Sequence, residues 1–123
     1  FRQALYLMCQ RALSIIYLPE ALKLDRVLFE LAAEQNPLTQ QFFDASHTRM
    51  CHVWCDFFEQ AITLNFIQAD DPLKQTELIV ALMLGTRHHK VLLGLDSVPT
   101  TVEIEQMIEQ AIELFLLKYQ PKF

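Results

Sequence analysis

The sequence predicts an all-α domain, a bundle of five helices, from three observations. Apolar residues recur at helical spacing in every long segment of the chain. Four of the five prolines (Pro19, Pro37, Pro72 and Pro99) stand where a helix can begin, because proline is tolerated in the first helical turn and no deeper. Only two of the 123 residues are glycine, and no useful length alternates with period two, so strands and hairpins are not expected.

The first three helices are predicted near residues 2–17, 20–34 and 38–67. The first has one apolar stripe, formed by Leu5, Met8, Cys9, Ala12 and Ile16. The third is long and apolar almost all round, which is typical of a central helix with neighbours on several sides. Its main stripe consists of Phe43, Met50, Trp54, Phe57, Phe58 and Ala61.

The last two helices are predicted near residues 72–93 and 101–119, and their ends have recognisable signals. Asp71 suits an N-cap, and Thr100 with Glu103 has the spacing of a capping box. Asn36 precedes Pro37 as Asp71 precedes Pro72, and it suits an N-cap of the third helix. Gly94 suits the C′ position at the end of the fourth helix. The core stripe of the last helix comprises Ile104, Ile108, Ala111, Phe115 and Tyr119, with Glu105, Glu109 and Glu113 on the far side.

The fourth helix has apolar residues on two opposite faces. One face holds Leu78, Leu82, Gly85 and Leu93, and the other holds Leu73, Val80, Leu84 and Val91. One face can pack on the core of its own chain. The second face must then be buried by another element, either a neighbouring helix of the same chain or a partner chain. The more specific of these two interpretations is a homodimer. In it, this helix and the last one pair with their symmetry mates in a four-helix bundle. The destabilising effect of Gly85 in mid-helix would then be offset by close approach of the two paired backbones.

The composition indicates surplus apolar surface. Hydrophobic residues make up 52% of the chain and the mean hydropathy is +0.18, so disorder is excluded and a partner or ligand surface is expected. The formal charge of −5 argues against direct binding of phosphates by this piece. The longest apolar run, 78–84, is too short to span a bilayer, so no membrane partner is predicted.

Catalytic and metal-binding signatures are scarce. His47, Cys51 and Cys55 follow one another at spacings of four along one helix, but the face drifts by about 40° at each step, so a shared ion is not favoured. No phosphate loop, nucleophile elbow or paired acidic motif occurs, and neither an enzyme nor a cofactor is predicted. The odd number of cysteines indicates reduced intracellular thiols. Arg87 is interpreted as a solvated side chain or, alternatively, as a cation facing a ligand carboxylate.

The sequence favours a ligand pocket over a catalytic or metal-binding site. His47 interrupts the apolar stripe that contains Phe43, Met50, Trp54 and Phe58. It is either a core histidine hydrogen-bonded to a neighbouring helix or a polar anchor in an apolar cavity, which is how small-molecule sites are commonly built.

The order of segments from Leu18 onward resembles a known family. LPEALKLDRVLFELAAEQ is followed by LTQQFFDASHTRM, ADDPLKQTELIVALMLGTRHHKVLLGL and PTTVEIEQMIEQAIELFLLKYQP. This succession is similar to the C-terminal regulatory domain of TetR-family transcriptional repressors, in the AefR-like branch. Residues 1–17 match by pattern alone.

The resemblance implies a cytoplasmic bacterial repressor that homodimerises through its last two helices. It also implies an effector cavity enclosed by the first three helices with help from the fourth, and a helix-turn-helix domain that contacts DNA. Because the chain begins at Phe1 inside a helical pattern, it is expected to be part of a longer protein that carries that domain. The effector is expected to be small and apolar. The alternative is a helical interaction module whose spare apolar face binds a different chain.

Two residue sets follow from this interpretation. The predicted ligand-binding residues are Phe43, His47, Met50, Trp54, Phe58, Cys9 and Met83. The predicted dimer residues are Leu73, Val80, Leu84, Val91, Leu78, Leu82, Gly85, Ile108 and Phe115.

Overall fold

A computed structural model describes residues 1–121, which form six α-helices and, within that range, no strand. The helices are α1 (Arg2–Ile16), α2 (Pro19–Ala33), α3 (Leu38–Thr63), α4 (Pro72–Leu84), α5 (Arg87–Leu92) and α6 (Thr101–Tyr119). The all-α prediction is confirmed. The prediction of five helices was wrong, because the segment expected to be one helix over 72–93 is two helices, α4 and α5.

The break between α4 and α5 is caused by Gly85. This residue has φ +49° and ψ −143°, a combination that side-chain-bearing residues rarely adopt. A Cβ at Gly85 would meet no atom within 4 Å, so the backbone angle, and not close approach within the chain, is what requires glycine here.

The predicted helix starts are confirmed where side chains cap them. Asp71 Oδ1 accepts a hydrogen bond from the backbone N–H of Leu73 at 2.9 Å. At α6, the hydroxyl of Thr100 accepts from the N–H of Glu103, and the carboxylate of Glu103 accepts from the N–H of Thr100. This reciprocal pair satisfies two N–H groups that the helix leaves free.

The core lies between α1, the second half of α3, α4 and α6. Aromatic rings link these elements, since Phe58 of α3 stacks on Phe115 of α6 at 5.2 Å between ring centroids, and Phe115 packs against Tyr119 at 4.9 Å. The fully buried side chains of this core include Leu5, Cys9, Leu13, Phe58, Ile79, Ile108, Ile112 and Phe115.

The first half of α3 lies outside this core. Residues 40–49 are all exposed, whereas Trp54, Phe58 and Ala61 in the second half are buried. The expectation of a central helix with neighbours on several sides therefore fits only the second half of α3. Its first half presents Phe42 and Phe43 to solvent at 43% and 48% exposure.

Two arginines hold α5 in place. Arg26 of α2 donates to the backbone oxygens of Leu92 and Val91 at the end of α5. Arg87 at the start of α5 donates to Glu103 Oε2 at 2.7 Å and forms an ion pair with Asp96 at 3.1 Å. Arg87 therefore pairs with two carboxylates of its own chain and fixes α5 to the start of α6.

Candidate ligand-binding site

The predicted ligand-binding residues divide between the core and two open grooves on either side of α3. Cys9, Phe58 and Met83 are at most 1% exposed in the core and line neither groove. The other four residues line the grooves, and Met50 contributes to both. The residues thus do not share one cavity, because the predicted stripe winds around α3 from one side to the other.

The first groove lies between α3 and α4, has a volume of about 580 Å³ and is called the α3–α4 groove. Its α3 wall consists of Phe43, His47, Thr48, Met50, Cys51, His52 and Cys55, and its α4 wall of Leu73, Thr76, Glu77, Val80 and Ala81. Apolar atoms dominate this surface, and among residues 1–121 Glu77 is its one acidic residue and no lysine or arginine lines it.

His47 is held by its own helix at the edge of this groove. Its ring stacks on Phe43 with centroids 4.1 Å apart, and its Nδ1 lies 2.9 Å from Ser46 Oγ and 3.2 Å from the backbone oxygen of Phe43. The side chain is exposed. His47 is therefore not a core histidine bonded to a neighbouring helix, and its ring extends an aromatic surface at the groove's mouth.

Two cysteines, Cys51 and Cys55, line the α3–α4 groove. Burial raises the pKa of Cys51, and the neighbouring Cys55 and Glu77 raise it further. Cys55 Sγ lies 3.9 Å from the hydroxyl of Thr76, which already donates to the oxygen of Pro72 and so accepts from the thiol. Over residues 1–121, no group of three or more His, Cys, Asp or Glu is arranged to hold a metal ion.

The second groove lies between α1 and α3, has a volume of about 530 Å³ and is called the α1–α3 groove. Met8, Arg11, Ala12 and Ile15 of α1 form one wall, and Ser46, Arg49, Met50, Val53 and Trp54 of α3 form the other. Trp54 is only 2% exposed and forms part of its apolar floor.

Sequence reasoning missed the two arginines of the α1–α3 groove. Arg11 and Arg49 lie on different helices, and an arginine on an amphipathic helix is usually solvated. Nothing in the linear pattern indicates that the two residues line one groove, because that depends on how α1 and α3 pack.

The predicted dimer residues also lie in different parts of the structure. Leu73 and Val80 face the α3–α4 groove, whereas Leu82, Leu84 and Gly85 line a smaller depression of about 330 Å³ between α4 and α6. Leu78 is half-buried against the core, and Val91, Ile108 and Phe115 are buried within it, so these last three have no surface to offer a partner.

The face of α6 that remains free is a different one. Its exposed, uncharged residues are Val102, Gln106, Gln110, Leu114 and Leu117. Gln106 and Gln110 line the same depression as Leu82 and Gly85, so this face of α6 continues onto α4. The signal available in the sequence was the absence of charge between the core stripe and the Glu105, Glu109 and Glu113 run.

No helix within residues 1–121 combines the length and apolar character needed to cross a bilayer.

Comparison with solved structures identifies the same arrangement of helices. A protein from Mesorhizobium loti, described as a TetR-family transcriptional regulator, superposes with a TM-score of 0.86 at 19% identity over 98% of this chain. The chain spans 59% of the length of that protein. The flavonoid-responsive regulator FrrA superposes with a TM-score of 0.67 at 22% identity, over 100% of this chain and 74% of its own. No match was found among curated proteins.

The family described as "AefR-like transcriptional repressor, C-terminal domain" matches residues 3–121, which is nearly the whole chain. The chain therefore belongs to the TetR family of transcriptional regulators, as a C-terminal regulatory domain of the AefR-like branch.

Proposed function

We propose that the chain is the effector-binding and dimerisation domain of a transcriptional repressor. A small, largely apolar molecule binds beside α3 and biases a homodimer formed through α4 and α6. The DNA-binding domains of the regulator then change their separation on DNA. Coupling of this kind requires that the ligand bind one arrangement of the dimer better than the other.

The observation that carries the proposal is the pair of grooves along α3. Their volumes of about 580 and 530 Å³ lie in the range of small-molecule sites, and their surfaces are apolar with a few polar groups. Methionine and aromatic side chains, here Met50, Phe43 and Trp54, accommodate varied apolar shapes. A structural relative described as flavonoid-responsive gives further support.

Binding beside α3 is tested with N-phenyl-1-naphthylamine, a neutral aromatic probe whose emission rises in apolar surroundings. Val53→Glu introduces a charge into the α1–α3 groove and Ala81→Glu introduces one into the α3–α4 groove, both at exposed positions. At least one variant is expected to weaken probe binding about tenfold, because the carboxylate would lose hydration against an apolar ligand.

The matched control is Val27→Glu, which adds the same charge at an exposed valine of α2 that lines neither groove. It is expected to bind the probe like the unmodified chain. Circular dichroism checks that all three variants fold. Unchanged probe affinity in both groove variants, or no binding to the unmodified chain, would overturn the proposed site.

A further inference from the structure

The two grooves differ in charge. Among residues 1–121, the α1–α3 groove is lined by two arginines, Arg11 and Arg49, and by no acidic residue, whereas the α3–α4 groove is lined by Glu77 and by no lysine or arginine. The whole chain carries a formal charge of −5. The positive charge of the α1–α3 groove is therefore opposite in sign to the net charge of the chain. This contrast indicates that the grooves favour ligands of different charge.

The guanidinium groups of Arg11 and Arg49 are also free to bind. The chain has five arginines, and three of them are engaged within residues 1–121. Arg2 pairs with Glu109 at 3.1 Å, Arg26 donates to the last carbonyls of α5, and Arg87 pairs with Glu103 and Asp96. In the same described range, the side chains of Arg11 and Arg49 have neither an ion pair nor a hydrogen bond.

The rest of the α1–α3 groove suits an apolar body. Met8, Ala12 and Ile15 come from α1, and Met50, Val53 and Trp54 from α3. Ser46 is the remaining polar group, and its hydroxyl lies within hydrogen-bond distance of the backbone oxygens of Phe42 and Phe43 and of His47 Nδ1. A ligand in this groove would therefore meet apolar contacts on the floor and charge only at the two arginines.

We propose that the α1–α3 groove binds an amphipathic organic anion. Its apolar or aromatic body lies on the floor around Trp54, and its carboxylate, sulfonate or similar group accepts hydrogen bonds from Arg11 and Arg49. Guanidinium groups match planar anions better than lysine does, because they present paired N–H donors at fixed angles. This inference rests on the proposed function, since it assigns the chemical class of the effector.

The test uses two fluorescent probes that differ by one charged group. 8-Anilinonaphthalene-1-sulfonate has the framework of N-phenyl-1-naphthylamine with a sulfonate added. Arg11→Gln and Arg49→Gln are each expected to weaken binding of the sulfonate probe about fivefold, and to change affinity for the neutral probe less than about twofold. Energy transfer from Trp54, the single tryptophan, places the bound probe near the groove.

The control is Lys23→Gln, which removes one positive charge from an exposed side chain of α2 that lines neither groove. It is expected to bind both probes like the unmodified chain. Unchanged affinity for the sulfonate probe in both arginine variants would overturn the inference, as would an equal loss for both probes. The proposed function is tested independently, by the affinity of Val53→Glu and Ala81→Glu for the neutral probe. Failure of the inference is therefore distinguishable from failure of the proposed function.

Discussion

The three cysteines occupy two different environments. Cys9 has no exposed surface, and burial raises its pKa to about 12. Cys51 and Cys55 are half-buried and line the α3–α4 groove, where a reagent can reach them. Because the thiolate is the reactive form, the burial and the raised pKa of Cys9 both protect it from modification.

We expect iodoacetamide at pH 8 to leave Cys9 unmodified in the folded protein, since only about one thiol in ten thousand would be ionised. Mass spectrometry of peptides after labelling measures this. The double variant Cys51→Ser, Cys55→Ser, with Cys9 as its sole thiol, should label only after unfolding in guanidinium chloride. Prompt labelling of Cys9 in the native double variant would contradict its placement in the core.

Glu103 combines a capping role with a charge. The pKa of this carboxyl is lowered to about 2, first by its hydrogen bond from Arg87 and then by hydrogen bonds from the backbone and side chain of Thr100. A carboxylate whose pKa is lower in the folded state contributes stability above its unfolded pKa, about 4.5. That contribution is lost as the pH falls from about 4.5 towards 2.

Glu103→Gln should therefore reduce the loss of stability on acidification. Glutamine keeps the capping box, because its side-chain oxygen can still accept from the N–H of Thr100, but it lacks the titrating charge. Urea unfolding at pH 7 and pH 3 measures the effect. Glu105→Gln, on the exposed face of α6, should lose stability with acid as the unmodified chain does. An equal loss in Glu103→Gln and the unmodified chain would contradict the assignment.

At the scale of elements, Gly85 decides that α4 and α5 are separate. Its positive φ turns the chain so that Arg87 reaches Glu103, Asp96 and the backbone oxygen of Ser97. A continuous helix would carry the residues after Gly85 along the axis of α4 instead.

Gly85→Ala is expected to lower the free energy of unfolding by about 1–3 kcal/mol, because alanine would be held in a sparsely populated backbone region. Chemical denaturation measures the change. The control Thr86→Ala, at φ −86°, should stay within about 0.5 kcal/mol of the unmodified chain. If Gly85→Ala were instead stabilising, α4 and α5 would form one helix in solution.

At the scale of the whole molecule, the exposed uncharged face of α6 and the adjoining part of α4 form a surface suited to a second copy. Leu114 is 43% exposed there, and Leu117 is 66% exposed. In the proposed homodimer these side chains would be buried in a four-helix bundle, and a charge among them would be costly.

We expect the unmodified chain to sediment as a dimer at micromolar concentration, and Leu114→Glu to raise the dissociation constant at least about tenfold. Leu38→Glu is the control, because Leu38 is 44% exposed at the start of α3, in a part of the chain that projects from the core. It should remain dimeric. A monomeric unmodified chain would contradict the homodimer and favour an interaction module that binds a different protein.

The capped helix starts, most helix positions and the core stripe of α6 were determined by the sequence alone, whereas the division of 72–93 into α4 and α5 was not. The cap at Asp71, the box at Thr100 and Glu103, and the stop at Gly94 depend on residues within one turn. The stripe that ends in Phe115 and Tyr119 depends only on helical periodicity. Such features are local, so their signals lie side by side in the chain.

Only the tertiary structure decided which apolar surface is core and which is groove. Periodicity placed Phe43, Met50, Trp54 and Phe58 on one stripe, but α4 packs on one side of it and α1 on the other, so the stripe divides between two grooves and the core. The placement of Arg11 and Arg49 along one groove has the same origin. Their separation along the chain carries no information about the distance between their side chains, which the packing of α1 against α3 sets.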